Sequence, residues 1–436
     1  MNPDVLKGQF PQLLENQMYV DGTGAAIPPI SLIDAHSAFL RQTLLGNPHS
    51  HHAPSAAAMQ EIKDTRQAIL DFFHADPNEY EVIFTSGATG AIRLLEHFKF
   101  EGGELLLLAD NHNSNNGLRE TAKQRGAVHR YAPITSNLEI DNEALGRMLS
   151  YPRSTGNKLF IYPAKSNYTG TVHSLEWVNT AQEKGWYVML DAAAYVANDR
   201  LDLSQVKPDF VPISFYKMFG YPTGIGCLLI RRRAYDVMYK KHFAGGSILL
   251  VSVMKDFFAP EALGYARYED GTVNFAGIMA VKNGLEFLTR LGKTEDHAVG
   301  LATELYDKLQ GLTVGQASIV VHSKRGNDTV TFSVMVDGKI QDAWKFEQAA
   351  NEVGIFVRTG CFCNPGVNEM VFGYTIDTYE RLYNDAIKPD AITIEKLREY
   401  SGDLAIGAIR ASFGYVNREG DPERFASFVR DYLASL

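Results

Sequence analysis

Short apolar runs recur along the first two thirds of the chain, and each ends in a polar or glycine-rich phrase. Helical stretches separate them. Strands covered on both faces read as near-continuous hydrophobic runs, so this alternation predicts an α/β domain built on a parallel sheet. Glu81 to Thr85 predicts a strand entering the turn Ser86-Gly87-Ala88-Thr89-Gly90. Glu104 to Ala109 predicts a second, ending at Asp110-Asn111-His112, and Lys158 to Tyr162 a third, ending in Pro163-Ala164-Lys165-Ser166-Asn167. Trp186 to Leu190 runs into Asp191, and Asp209 to Ile213 runs into Ser214-Phe215-Tyr216-Lys217. Ligands in open α/β sheets bind outside the carboxyl ends of strands, so these five ends mark where chemistry is expected.

From about residue 298 the texture changes to α+β. A helix is predicted near 300–311, strands near 318–321 and 329–335, a helix near 341–353, then an apolar stretch from Gly354 to Val357. The resulting organisation is an N-terminal segment over 1–40 that joins a small domain, a large domain over 41–297, and the small C-terminal domain over 298–436. Segment 370–402 reads as an insertion with mixed helix. No internal repeat or low-complexity tract is present.

A chain of 436 residues with 45% hydrophobic positions can bury a sizeable core. The net charge of −9 is spread out, and no basic run points to nucleic acid or an anionic membrane. No apolar stretch reaches the roughly 18 residues of a membrane span. The opening MNPDVLKGQF lacks the apolar centre of a secretory signal, and three cysteines do not make a disulfide framework. A reducing cytosol is therefore the expected compartment. Cys227 lies inside the apolar run Ile225 to Ile230 and reads as inert core, whereas Cys361 and Cys363 sit in a polar, glycine-bounded phrase.

Lys217 after one apolar run and Asp191 after another are the pair that narrows the chemistry. A lysine able to form a Schiff base and an aspartate able to pair with a pyridinium nitrogen are the two groups pyridoxal phosphate (PLP) most needs. Either alone is better read as a surface lysine or a turn aspartate. Ala88 and Thr89 follow a strand and open a helix, where orphan N–H groups favour an anion, although a plain helix cap by Thr89 would look the same.

The phrases Gly46-Asn47-Pro48-His49-Ser50, Phe84-Thr85-Ser86-Gly87-Ala88-Thr89, Tyr162 to Gly170, Leu190 to Ala194, Ser214 to Lys217, Arg358 to Gly366 and Gly407 to Gly414 follow one another in a familiar order. The chain resembles the class V aminotransferase group of PLP enzymes, and within it the cysteine desulfurase-like domain of molybdenum cofactor sulfurases. The resemblance implies the type I fold, with a mostly parallel central sheet in the large domain and a smaller α+β domain. It implies that Lys217 carries the cofactor and moves the substrate Cα proton, and that Asp191 keeps the ring nitrogen protonated. It further implies phosphate contacts from Ala88, Thr89 and Ser214, and from Thr272 of a neighbouring subunit, hence a homodimer. His112 is expected to stack on the ring, with Asn111 as the alternative. Asn167 is expected to reach the phenolic oxygen or the substrate carboxylate. Arg358 is expected to bind the substrate carboxylate, and Arg410 to hold the small domain. Two positions depart from many desulfurases: Ala194 replaces a glutamine, and Tyr216 replaces the histidine before the lysine.

The reaction turns on Cys361 and Cys363. A metal pair lacks further Cys or His at suitable spacing, and a disulfide two positions apart would be strained. By the desulfurase pattern the nucleophile is Cys363, with Cys361 in reserve. A cysteine that accepts and hands on sulfur is expected on a mobile, partly exposed loop, which Gly360 and Asn364-Pro365-Gly366 bracket. The expected reaction is desulfuration of L-cysteine to alanine, leaving a persulfide on Cys363 for an acceptor protein. The alternatives are a PLP-dependent C–S lyase acting on a cysteine conjugate, and a non-catalytic sulfur-relay partner. The further C-terminal domain of eukaryotic molybdenum cofactor sulfurases has no counterpart in this sequence, which leaves the acceptor open.

Overall fold

The computed structural model describes residues 1–377, 379–380 and 405–436. Among the described residues are seventeen strands, β1 to β17 in chain order. Seven form the central sheet: β2 (Tyr80–Thr85), β3 (Glu104–Leu108), β4 (Val128–Ala132), β5 (Lys158–Pro163), β6 (Tyr187–Asp191), β7 (Phe210–Ser214) and β8 (Gly226–Arg231). Their spatial order is β2-β8-β7-β6-β5-β3-β4. All run in one direction except β8, which is antiparallel to both its neighbours. The predicted runs are thus strands of a mostly parallel sheet.

Strand geometry explains why these segments are apolar throughout. Side chains alternate between faces, and each face packs its own core. Leu106, Leu108, Phe160, Tyr162, Val188 and Leu190 enter one cluster, while Leu105, Leu107, Leu159, Ile161 and Met189 enter the other. Cys227 is fully buried in the first, and burial pushes its thiol far up, which makes it inert.

The small domain centres on an antiparallel sheet in the order β11-β12-β13-β17-β16, with β14 beside β13. These are Thr313–Val314, Ala317–Val321, Thr329–Val336, Ala408–Ser412 and Arg358–Gly360, with β14 at Lys339–Ile340. Helices Glu295–Leu309, Ala343–Glu352 and Asp421–Ala434 supply its apolar partners, among them Leu305, Phe346 and Phe425. The N-terminal segment divides between the two bodies. Met18 and Val20 are buried in the small-domain core, and β1 (Met18–Tyr19) pairs with β15 (Ile355–Phe356). The helix Ile30–Gln42 instead packs on the large-domain helix Phe275–Leu291. A single role for 1–40 is therefore too simple.

One large-domain element was not expected. β9 (Ile248–Ser252) and β10 (Phe257–Pro260) form a hairpin whose tip residues Val253 and Met254 are 98% and 99% exposed. The mixed-helix reading of 370–402 falls outside the described residues from 381 onward. Among the described residues no helix is long and apolar enough to cross a membrane.

Candidate active site

A cleft opens at the carboxyl ends of β2, β3, β5, β6 and β7, and residues at or following the ends of all five strands line it. At the end of β2 the chain turns sharply through Gly87, whose φ of +125° suits only glycine. A side chain at Gly226 on neighbouring β8 would overlap the Gly87 backbone. This close approach brings the start of the helix Ala88–Arg93 over the end of β7. There Ser214 Oγ accepts from the Ala88 N–H at 2.7 Å, and Thr89 Oγ1 pairs with Ser114 Oγ at 2.8 Å. The Ala88 N–H and three hydroxyls therefore meet at one corner, which suits a phosphate.

Asp191 is buried at the end of β6. Its Oδ2 accepts from Asn115 Nδ2 at 2.8 Å and its Oδ1 from the Ala193 N–H at 3.1 Å. Asn115 was not anticipated, because an Asn in a polar run carries no periodic signal. Asn115 is held in turn by Asn111, whose amide donates to the Leu108 and Ile161 carbonyls, both at 2.9 Å. Those bonds make Asn111 a buried brace, and His112 is the residue that lines the cleft. Burial pushes the His112 ring below its ordinary range, with Asp191 opposing and Lys217 reinforcing the shift. Its Nδ1 accepts from the Ser114 N–H, so the neutral ring carries its proton on Nε2.

The two lysines of the cleft have opposite surroundings. Lys217 lies on the short helix Phe215–Phe219, which Gly220 closes at φ +78°. Among the described residues its Nζ has no hydrogen bond or ion pair. Desolvation lowers its pKa, Asp191 opposes, and Arg410 and Arg358 add to the lowering. Lys165 is 3% exposed and ion-paired to Asp199 and Asp328, the latter at 2.7 Å. These two carboxylates outweigh its burial and hold it protonated. Of the two, Lys217 is the one whose surroundings favour the neutral amine that addition to an aldehyde needs. Lys165→Met is expected to destabilise the protein by about 3–5 kcal/mol in urea unfolding, since it strands two buried carboxylates. A loss below about 1 kcal/mol would show the cluster to be better solvated than it is here.

The remaining residues frame the mouth. Tyr216 lines the cleft beside Lys217. Asn167 also lines it, but its amide serves the cysteine loop: Nδ2 donates to the Phe362 carbonyl at 2.7 Å, and Oδ1 accepts from Asn364 Nδ2 at 3.0 Å. One N–H of the amide is left for a ligand. Arg358 is exposed on β16, 4.0 Å from Asp21. Arg410 is 2% exposed and bonds the Asn167 carbonyl at 2.7 Å and Asp21 at 2.6 Å, yet its Nε is buried with no acceptor. Thr272 is exposed and does not line this chain's cleft.

Cys361 and Cys363 are half-buried free thiols. Their loop forms a hydrogen-bonded turn. Phe362 and Cys363 have φ of +53° and +56°, a left-handed pair that non-glycine residues adopt only when surroundings impose it. The Cys361 carbonyl accepts from the Asn364 N–H at 2.9 Å, and the Cys363 carbonyl from the Asn113 N–H at 2.7 Å. The Phe362 ring packs edge-on against Tyr168 and beneath the Arg410 guanidinium. Cys363 thus sits, through its carbonyl, next to the residue that follows His112. Among the described residues no group of three His, Cys, Asp or Glu could hold a metal ion.

PLP requires an amine for its aldehyde, an acid for its ring nitrogen, a flat surface for its ring and an anion cradle. Lys217, Asp191, His112 and the Ala88, Thr89 and Ser214 corner fit those needs in one cleft. Known proteins agree. The family profile described as aminotransferase class-V matches residues 18–425. Molybdenum cofactor sulfurase of Danio rerio is 32% identical over 446 residues, covering 94% of this chain and 53% of the relative. That of Homo sapiens is 30% identical over 449 residues, covering 96% and 50%. The chain therefore spans about half the length of the curated relatives it matches. Among solved structures, the cysteine desulfurase CsdA of Escherichia coli superposes with a TM-score of 0.79 at 21% identity, over 100% of this chain and 99% of that one. A cystine C–S lyase, C-DES, in complex with its product cysteine persulfide superposes with a TM-score of 0.73 at 20% identity, over 97% and 99%. With the profile spanning most of its length and a cleft that suits the cofactor, the chain belongs to the class V aminotransferase family of PLP enzymes.

Proposed function

We propose that the protein is a PLP-dependent cysteine desulfurase. The observation that carries this reading is the docking of Cys363 beside the cleft of Lys217 and Asp191, through its carbonyl on the Asn113 N–H. PLP bound there supplies an electron sink for negative charge at the substrate Cα. Asp191, kept in place by Asn115 and the Ala193 N–H, holds a proton on the ring nitrogen. The amine of Lys217, lowered by burial, takes the Cα proton and later returns it. The substrate carboxylate is assigned to the arginine pair, Arg358 at the mouth and Arg410 with its unused Nε. The Cys363 thiolate then attacks the substrate sulfur. The S–S bond forms as the substrate C–S bond breaks, that electron pair stays with Cβ, and Cβ takes a proton. The products are a Cys363 persulfide and alanine. Incubating the holoenzyme with L-cysteine tests this: alanine supports desulfuration, whereas pyruvate with ammonia supports a C–S lyase.

The assembly proposed is a homodimer in which Thr272 of one chain reaches the phosphate corner of the other. The apolar tip of the β9–β10 hairpin supports it, because Val253 and Met254 leave surface that a second copy would cover. Sedimentation at micromolar concentration is expected to give roughly twice the 48.4 kDa chain mass. Met254→Asp is expected to shift the equilibrium toward monomer, and a monomeric, fully active protein would remove Thr272 from the site. An acceptor protein is proposed to take the sulfur from Cys363. All three cysteines are free thiols, which suits the reducing cytosol proposed as its location.

A further inference from the structure

Asp110 lies just beyond β3, 1% exposed, and takes no direct part in the chemistry above. Its Oδ1 accepts from Ser166 Oγ at 2.9 Å and from Asn364 Nδ2 at 2.6 Å. Its Oδ2 pairs with His173 Nε2 at 2.8 Å. A carboxylate only accepts, so it dictates which way each neighbour must point. His173 must carry its proton on Nε2. Asn364 must turn its NH2 toward Asp110, which leaves its Oδ1 to cap the following helix at the Val367 N–H, 3.3 Å away. That same NH2 donates to Asn167 Oδ1, so Asn167 must turn its own NH2 to the Phe362 carbonyl. One buried charge thus sets the polarity of a chain of two amides that ends on the strained turn Phe362-Cys363. The backbones also leave no slack: a side chain at Gly366 would overlap the Ala109 carbonyl.

We propose that Asp110 is the positioning residue for Cys363, holding the thiol's loop in its left-handed conformation through Asn364 and Asn167. Its conformational part is independent of the reaction, and its catalytic part rests on the desulfurase reading. An amide at position 110 can present its own NH2 to Asn364, which reverses the chain of donors and releases the loop. Alanine at position 364 cuts the same chain while leaving Asp110 with Ser166 and His173.

The test compares holoenzyme with Asp110→Asn, Asn364→Ala and the double variant. Tandem mass spectrometry follows the rate at which iodoacetamide alkylates Cys363, and steady-state kinetics follow alanine formation. Each single variant is expected to raise alkylation about tenfold and to lower kcat at least about tenfold, the size of one lost charge-assisted hydrogen bond. KM for L-cysteine is expected to change less than kcat, because the arginines assigned to the substrate carboxylate keep their places while the Asn167 amide turns. The double variant is expected to be no worse than the more severe single, as both sever one connection. Unchanged alkylation in both singles, or effects that multiply in the double, would overturn the proposal. Asn364→Ala decides the matter if Asp110→Asn does not fold. Should alkylation and coupling follow expectation while the wild type yields pyruvate, the positioning role stands and the desulfurase reading fails.

Discussion

Lys217→Ala is expected to fold, to hold PLP only by non-covalent contacts, and to lose turnover by about a thousandfold or more. The fold should survive because alanine favours the helix it joins and no hydrogen bond or ion pair to Nζ is lost. The chemistry should not. An amine adds to an aldehyde, or takes a proton from carbon, only in its neutral form, and an exposed lysine with a pKa of about 10.4 is almost wholly charged at neutral pH. Burial in the cleft moves Lys217 downward, and Arg410 and Arg358 move it further than Asp191 alone would allow. The other lysine of the cleft cannot take its place, since Lys165 is locked between Asp199 and Asp328. Borohydride reduction of the wild type followed by peptide mapping should leave the pyridoxyl group on the Lys217 peptide. Recovery of the adduct on Lys165, or a variant with near-normal turnover, would overturn the assignment of the two lysines.

Cys363→Ala is expected to bind PLP normally and to form almost no alanine from L-cysteine, a loss of at least about a thousandfold. Desulfuration needs a nucleophile that accepts sulfur while the C–S bonding pair remains on carbon. In an elimination the sulfur departs with that pair, so a lyase would be indifferent to this change. Cys361→Ala is expected to retain most activity, since the hydrogen bond it shares with Asn364 is made by the backbone carbonyl. Full turnover of Cys363→Ala with pyruvate as product would establish the lyase. Loss of persulfide in Cys361→Ala alone would move the nucleophile two positions upstream.

The central sheet was legible because β2, β3, β5, β6 and β7 are buried on both faces and end abruptly in polar residues. The reversed direction of β8 was not, since an apolar run looks the same either way. β4 escaped notice because its His129, Arg130 and Tyr131 are half-exposed on an edge strand, and the hairpin because its apolar residues face outward. At the site, strand ends and resemblance pointed to Lys217, Asp191 and His112. What could not be read was the wiring between distant positions. Lys165 finds partners 34 and 163 residues away, and Asp110 meets Asn364 across 254. The hydrogen-bonded turn of the cysteine loop was hidden for the same reason, as its partners Asn113 and Asn167 come from other strand ends.

Desulfuration as proposed requires that sulfur pass from L-cysteine to Cys363. A single-turnover reaction of holoenzyme with L-cysteine, without reductant, tests it most directly when tandem mass spectrometry locates the added sulfur and the amino-acid product is quantified alongside. One added sulfur atom on Cys363 and an equal amount of alanine are expected, with no pyruvate. Unmodified Cys363 accompanied by pyruvate and free sulfide would contradict it.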